Sequence, residues 1–221
     1  MTKASLIRRC ATASVLIGMV LLLAVLGSPF PEVGMAVVGT ICLVEWLLIF
    51  VKQAQPGSRI SESRLLWGAF GAVYIAGACW GGYLIYAQSG LWISLWVLVS
   101  VWAADSTAFL VGSSLGGPKM APLISPKKTW SGALGGIIAP VLVTLVFQGL
   151  ALIPRSGLFL VFGFVLALVS IAGDLLESVA KRKLGVKDSS GLLPGHGGML
   201  DRVDSLLAVW LAGAVVIWLW A

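Results

Sequence analysis

Two short segments of the chain repeat the same arrangement of acidic and hydroxyl side chains. Each carries two carboxylates and a serine at positions i, i+3 and i+4, a spacing that places all three on one side of a helix. The two sets are Asp174, Glu177 and Ser178, and Asp201, Asp204 and Ser205. Two such faces could frame one metal ion, and their hard oxygen ligands favour Mg²⁺ over zinc or copper. The alternative is that these carboxylates only form ion pairs with Lys and Arg of the neighbouring loops.

The segment that links the two sets, residues 178–204, has a composition suited to phosphate binding. It holds five Lys and Arg residues, five glycines and His196, the single histidine of the chain. Glycine lets backbone N–H groups approach an anion closely and the cations supply charge, so the combination suits a polyphosphate bridged by a divalent ion. The alternative is a basic loop that only follows the positive-inside rule and carries a solvated histidine.

A second basic segment, residues 125–130, precedes a long apolar run. The hydroxyls of Ser125 and Thr129 are suited to cap a helix at this point. The N-terminus of that helix, together with Lys127 and Lys128, would form an anion site. The alternative is a helix cap with two interface anchors and a tryptophan in the aromatic belt.

The elements that must position these groups are membrane helices. Of 221 residues, 59% are hydrophobic and only 11% charged, whereas soluble domains are about 25% charged. Lipid must therefore cover the excess apolar surface, which excludes a water-soluble globule. The net charge of +6 does not indicate nucleic acid, because the basic residues are confined to a few short segments. The three cysteines lie in apolar runs without metal-ligand spacing, so neither a disulfide framework nor a zinc site is expected.

We expect an all-α polytopic integral membrane protein with about seven transmembrane helices, because a span needs about 20 apolar residues. The third and fourth spans come from one long run without charges, which we divide at Gln88, Ser89 and Gly90. The predicted spans are residues 10–27, 33–51, 65–87, 91–111, 131–153, 157–177 and 205–221.

Charge placement predicts the orientation of these spans. Every Lys and Arg except Arg155 falls on one side of the predicted membrane. The positive-inside rule therefore puts the N-terminus in the cytoplasm and the C-terminus outside. The carboxylates at the ends of spans four, six and seven, beginning with Asp105, then converge on the cytoplasmic face. Carboxylates at membrane depth are costly and usually functional, although Glu45 in span two receives no role from the sequence.

Four blocks, which together cover about the C-terminal half, match a known family signature in order and spacing. They are Asp105-Ser106-Thr107-Ala108-Phe109; Ser125-Pro126-Lys127-Lys128-Thr129; Gly173-Asp174-Leu175-Leu176-Glu177-Ser178; and the segment with Lys181-Arg182, Lys187-Asp188, Leu193-Pro194-Gly195-His196-Gly197-Gly198 and Asp201-Arg202-Val203-Asp204. These blocks resemble the phosphatidate cytidylyltransferases, also called CDP-diacylglycerol synthases. The first hundred residues resemble that family only in being hydrophobic, and the chain is short for it.

The resemblance implies that CTP and phosphatidate react to CDP-diacylglycerol and pyrophosphate at the cytoplasmic membrane face. It divides the chain into a variable part, residues 1–90 with helices one to three, and a catalytic part, residues 91–221, with cytoplasmic loops 112–130 and 178–204. It further implies a multi-pass protein of the cytoplasmic (inner) membrane that works in phospholipid biosynthesis, handles membrane lipid, binds no nucleic acid and forms a homodimer.

The resemblance also implies roles for individual residues. Asp174 and Asp201 match metal-binding aspartates and are expected to hold Mg²⁺, with a second cation left open. The other residues expected to take part in catalysis are Lys127, Lys128, Asp204 and Asp105. The residues expected to bind substrate are Ser125, Thr129, Ser178, Lys181, Arg182, Lys187, Asp188, His196, Gly197, Gly198 and Arg202. On this basis the substitution Asp201→Asn is expected to abolish turnover and leave folding intact.

Two other functions stay open at this point. The runner-up is a CTP-dependent enzyme that acts on a different lipid, such as an archaeol-type phosphate or a polyprenol. An ion-coupled transporter would also place carboxylates within the membrane. Against a transporter, the acidic groups cluster at one face and the sequence shows no inverted repeat.

Overall fold

The computed structural model describes residues 3–52, 62–192 and 197–220. Six helices and one two-stranded hairpin make up these parts, and each predicted span falls mainly on a helix. The elements are α1 (Lys3–Leu26), α2 (Phe30–Lys52), α3 (Glu62–Leu115), β1 (Lys119–Ala121), β2 (Ser125–Thr129), α4 (Trp130–Gly149), α5 (Gly157–Lys183) and α6 (Leu200–Trp220).

Five of the helices, α2 to α6, are long and apolar enough to cross a membrane. The apolar stretch described in α1, Ser14–Leu26, is shorter than the roughly 20 residues that a span needs. Large apolar side chains such as Val73, Phe109 and Trp218 are exposed along the helices, as expected for surfaces that contact lipid. The predicted class, an all-α multi-pass membrane protein, is confirmed, while the count of seven spans and the orientation stay predictions.

Helix α3 contains the break that the sequence predicts. Its 54 residues make it far longer than one crossing requires. Gly90 has φ 77° and ψ −175°, outside the helical region, and this divides α3 into two helical segments. The positive φ is available to glycine at little steric cost, so Gly90 is the residue in Gln88–Gly90 that allows the change of direction.

The described chain forms two compact units, which interleave along the sequence. The first consists of Met1–Cys79 and Ala180–Val203, and the second of Trp80–Val179 and Asp204–Ala221. This division concerns packing, so the predicted boundary between a variable and a catalytic part stays a prediction.

The first unit packs α2 against the N-terminal part of α3. The Trp46 indole Nε1 donates a hydrogen bond of 2.9 Å to the Gly68 carbonyl, and both groups are buried. Cys42 is buried beside this contact on α2, and Cys42 and Cys79 are both free thiols. The expectation that cysteines form no disulfide therefore holds for the two that the structure describes in full.

The second unit packs α3, α4, α5 and α6 together through short side chains. The Trp96 indole of α3 donates to the Thr144 hydroxyl of α4 at 3.0 Å inside the core. On α5, Gly173 faces α6 so closely that a Cβ atom there would lie 3.3 Å from the Asp204 carbonyl oxygen and overlap Ala208. Glycine at this position therefore lets the two helix backbones approach beside Asp174 and Asp204.

Strands β1 and β2 form an antiparallel hairpin within the predicted loop 112–130. The sequence analysis did not predict this hairpin, because Ser125–Thr129 is polar throughout and lacks the apolar alternation of a half-buried strand. Thr129 then caps α4, because its hydroxyl accepts the Gly132 N–H at 3.2 Å. The predicted cap is thus confirmed for Thr129.

Candidate active site

The predicted site residues fall into two groups, one in each unit. In the second unit, three aspartates from three helices interact electrostatically around Asp105: Asp105 of α3, Asp174 of α5 and Asp204 of α6. We call these three residues the aspartate cluster. In the first unit, Glu45 of α2 and Asp201 of α6 share the donors of one loop. We call these two residues the buried carboxylate pair.

Lys128 supplies the positive charge of the aspartate cluster. Its Nζ atom lies 2.6 Å from Asp174 Oδ2, and both side chains are partly exposed to solvent. Successive residues of a strand point to opposite sides, so Lys128 faces Asp174 while Lys127 is exposed. The structure thus separates two lysines that the sequence treated as equivalent.

Asp105 connects the cluster to α6. Its Oδ1 atom accepts a hydrogen bond of 3.3 Å from the Ser205 hydroxyl. Asp105 also interacts electrostatically with Asp204, Asp174 and Lys128. Asp105 is thus within electrostatic reach of two further carboxylates and one ammonium group, and neighbouring carboxylates of this kind attract a cation.

The donor chemistry of the aspartate cluster fits Mg²⁺. Within the described ranges, no three His, Cys, Asp or Glu side chains converge closely enough to hold a metal ion by themselves. Mg²⁺ does not require such a cage, since it is commonly bound by one or two carboxylates, substrate phosphates and water. Among the described residues, the contact to Asp174 Oδ1 is a long one of 3.4 Å from Ser178 Oγ, so this oxygen is available to a ligand.

Asp201 has different surroundings, because donors of its own unit occupy both carboxylate oxygens. Lys181 Nζ lies 2.7 Å from Oδ1. The Ser189 N–H donates to both oxygens at 3.0–3.1 Å, and the Gly198 N–H donates to Oδ2 at 2.9 Å. The Asp201 side chain is only 8% exposed, compared with 31% for Asp174. Asp201 therefore organises the loop that precedes α6.

Both predicted metal ligands are thus paired with a lysine, which is the arrangement that the alternative interpretation expected. The pairs differ in consequence. The pair of Asp174 is open to solvent and can exchange partners, whereas the pair of Asp201 is closed by backbone donors. The prediction that Asp174 and Asp201 bind Mg²⁺ stays a prediction for each residue.

Glu45 and Ser189 are two residues that sequence reasoning left without a role. Glu45 is 4% exposed, and its carboxylate accepts hydrogen bonds from the loop that also binds Asp201. A lone carboxylate within the apolar run of α2 was the available signal for Glu45. No comparable signal marks Ser189, because serine in a polar loop is common.

The other predicted substrate-binding residues have varied surroundings. In the second unit, Ser125 begins β2 and Ser178 contacts Asp174. In the first unit, the exposed Arg182 donates to the Val186 carbonyl at 2.9 Å. Three further residues predicted to bind substrate are also exposed in this unit: Lys187, Asp188 and Arg202. Gly197 has φ 85° and lies against Asp201, and His196 lies outside the described residues.

Comparison with known proteins gives the affiliation of the chain. The model of the cytidylyltransferase family matches residues 2–220. A phosphatidate cytidylyltransferase of Brucella abortus is 43% identical over 174 residues, which cover 76% of this chain and 62% of that protein. The enzyme of the same name from Pseudomonas aeruginosa is 38% identical over 185 residues, covering 80% of this chain and 68% of that protein.

The match to the relatives is partial in length. A phosphatidate cytidylyltransferase of Haemophilus influenzae is 44% identical over 124 residues, but these cover only 43% of it. The chain thus spans less than two thirds of the Brucella and Haemophilus proteins. The family model, in contrast, covers nearly the whole chain and includes every residue of both carboxylate groups. The chain belongs to the cytidylyltransferase family.

Proposed function

We propose that the chain is a membrane-bound phosphatidate cytidylyltransferase that converts CTP and phosphatidate into CDP-diacylglycerol and pyrophosphate. The names of the relatives support the substrates. The observation that carries the proposal is the aspartate cluster together with Lys128. The Lys128 Nζ atom lies 2.6 Å from Asp174 Oδ2, and Lys128 directly precedes Thr129, the cap of α4. Acidic groups that attract a divalent cation, beside a lysine and a helix N-terminus, form a suitable environment for a triphosphate.

The reaction needs positioning and charge neutralisation more than a protein base. An oxygen of the lipid phosphate attacks the α-phosphorus of CTP, and the bond from that phosphorus to the pyrophosphate oxygen breaks. Because the attacking phosphate is already anionic, no side chain has to remove a proton from it. Lys128 can move from Asp174 to a phosphate oxygen, since the pair is partly exposed. Its charge then stabilises the negative charge that the transition state spreads over phosphate oxygens.

Asp174 is the proposed Mg²⁺ ligand within the aspartate cluster, with Asp105 and Asp204 as its acidic neighbours. When bound, Mg²⁺ would neutralise charge on the triphosphate and on the leaving pyrophosphate. Asp105 is held by Ser205, and α5 and α6 meet at Gly173 beside Asp174. These contacts fix the carboxylates before substrate arrives, which lowers the cost of ordering the site.

The membrane topology belongs to the same proposal. Seven spans with the N-terminus in the cytoplasm would place Lys128, Asp174 and the loop before α6 on the cytoplasmic face, where CTP is found. The acyl chains of the lipid then stay in the bilayer while its phosphate meets the nucleotide. The cytoplasmic (inner) membrane location and the homodimer are further parts of this proposal.

The test is turnover by detergent-purified protein supplied with Mg²⁺, CTP and phosphatidate. Release of pyrophosphate and formation of the CDP-lipid should both depend on phosphatidate. Asp174→Asn should abolish both products and change stability by no more than about 1 kcal/mol, because its ion pair is partly exposed. The matched control is Glu62→Gln, which removes an exposed carboxylate at the start of α3 and should keep full turnover.

Two results would contradict the proposal. A folded preparation that binds CTP but gives no product with phosphatidate would point to another lipid acceptor. Full activity of Asp174→Asn would remove Asp174 from the catalytic machinery.

A further inference from the structure

Glu45 is a buried acid in a part of the chain that carries none of the blocks resembling the family. It lies in α2 among apolar residues and is 4% exposed. A buried carboxylate is tolerated only where donors satisfy its oxygens, because removing its charge from water is costly. The partners of Glu45 therefore show what the residue does.

The four hydrogen-bond donors described for the Glu45 carboxylate lie at the two ends of the segment 189–200. Oε1 accepts the Ser190 hydroxyl at 2.6 Å and the Met199 N–H at 3.0 Å. Oε2 accepts the Ser189 hydroxyl at 3.0 Å and the Leu200 N–H at 2.9 Å. Each oxygen thus receives one hydroxyl and one backbone N–H, so the carboxylate joins both ends of the segment.

This arrangement replaces a missing helix cap. The residue before the first turn of α6 usually offers a side-chain oxygen to the unpaired N–H groups of that turn. Gly198 stands near this position and has no side chain. Asp201 reaches back to the Gly198 N–H at 2.9 Å, as the acid of a capping box does. Glu45 takes the next two N–H groups, those of Met199 and Leu200, from a different helix.

Ser189 links Glu45 directly to Asp201. Its hydroxyl donates to Glu45, while its backbone N–H donates to both oxygens of Asp201. Gly198 is the second link. Its N–H donates to Asp201, and the N–H groups of the next two residues, Met199 and Leu200, donate to Glu45. A shift of the Glu45 carboxylate would therefore move two of the groups that fix Asp201.

We propose that Glu45 is a positioning residue that holds Ser189 and Gly198 against Asp201, and so sets the geometry with which the loop before α6 receives CTP. This inference rests on the proposed function for its substrate. The inference gives α2 a direct structural role, although α2 lies in the predicted variable part of the chain. Through Glu45, α2 holds the loop before α6, which carries part of the family signature.

The test compares Glu45→Gln with Trp46→Phe in the purified full chain. Glutamine has nearly the same shape, but its NH₂ group would face a backbone N–H that cannot accept a hydrogen bond. Trp46→Phe removes a buried hydrogen bond to Gly68 from the adjacent residue of α2 and leaves the Glu45 carboxylate and its four donors in place. It is therefore a matched control for general weakening of α2.

Two readouts are measured on both variants. Amide hydrogen exchange at Met199 and Leu200 should be faster in Glu45→Gln and unchanged in Trp46→Phe. The KM for CTP at fixed Mg²⁺ should rise about 10-fold or more in Glu45→Gln, the range typical of residues that orient a site ligand. A smaller folded fraction would lower the maximal rate without changing KM, so the KM separates positioning from stability.

Unchanged exchange or an unchanged KM in folded Glu45→Gln overturns the inference. If this variant does not fold, Ser190→Ala decides, because it removes one donor and keeps the carboxylate. Its KM should rise roughly 2–10-fold, and no rise overturns the inference. Wild-type protein without phosphatidate-dependent turnover would overturn the proposed function instead, and the exchange readout would still decide whether Glu45 holds the segment.

Discussion

The substitution Asp201→Asn should destabilise the first unit strongly, in addition to any effect on turnover. On the sequence alone this change looks like the loss of a metal ligand with folding intact. In the structure both oxygens of Asp201 accept hydrogen bonds, from Lys181 and Ser189 on one and from Gly198 and Ser189 on the other. Asparagine keeps one oxygen, so its NH₂ group faces donors in either orientation.

The magnitude follows from two losses. A backbone N–H left without an acceptor costs about 1–3 kcal/mol. Removing one partner of a buried ion pair costs about 3–5 kcal/mol, and the side chains of Lys181 and Asp201 are 10% and 8% exposed. The second figure already includes part of the first, so we expect about 3–5 kcal/mol in total. At about 2–4 °C per kcal/mol for a chain of this size, the melting temperature should fall by roughly 6–20 °C.

The assay is thermal unfolding of the purified protein in detergent, carried out as a double-mutant cycle with Lys181→Met. The double variant should be more stable than the sum of the single effects predicts, by about 0.5–3 kcal/mol, because removing both charges leaves neither one buried alone. An unchanged melting temperature in Asp201→Asn, or single effects that add within about 0.5 kcal/mol, would refute the ion pair as the source of stability.

Two further predictions concern the same groups. Lys128→Ala should lower kcat/KM about tenfold or more, which corresponds to the loss of one charge-assisted hydrogen bond. Lys127→Ala should have a smaller effect, because Lys127 is exposed and lies outside the ion pair with Asp174. Equal effects in steady-state kinetics would contradict the different orientations of the two lysines on β2. Gly198→Ala should destabilise the first unit by about 1–3 kcal/mol. The added methyl group would overlap Ser189 Oγ and lie 2.6 and 2.9 Å from the two Glu45 carboxylate oxygens. The control Gly191→Ala adds a methyl group to open space and should leave the melting temperature unchanged.

Hydropathy was sufficient to predict the helices, because long apolar runs in lipid have no alternative to helical hydrogen bonding. The break in α3 was also predictable, since Gln88, Ser89 and Gly90 interrupt an otherwise apolar run and Gly90 is the residue that leaves the helix. The β hairpin was not predictable in this way. Its pairing joins Lys119 to Thr129 and Ala121 to Ser125 through backbone bonds, for which the side-chain pattern of a polar segment carries no signal.

The sequence found the charged residues of the site but could not assign their partners. It grouped Lys127 with Lys128, and only the strand geometry shows which of the two meets Asp174. The role of Glu45 depends on hydrogen bonds to residues about 150 positions away. Such long-range contacts leave no trace in local spacing, so the carboxylate was visible in the sequence and its function was not.

The two repeated sets of acidic residues and serine show why equal spacing does not give equal chemistry. Asp174 lies within α5, where the helix satisfies the backbone N–H groups, and its carboxylate is left to a partly exposed lysine. Asp201 lies in the first turn of α6, where unpaired N–H groups need acceptors, and its carboxylate is taken by the Gly198 and Ser189 N–H groups. Position relative to the helix start thus decides which carboxylate is held by backbone donors and which is left to a partly exposed ion pair. By this argument the surroundings of the Asp174 carboxylate should change when Mg²⁺ and CTP bind. The surroundings of the Asp201 carboxylate should change when the loop that Glu45 holds is disrupted.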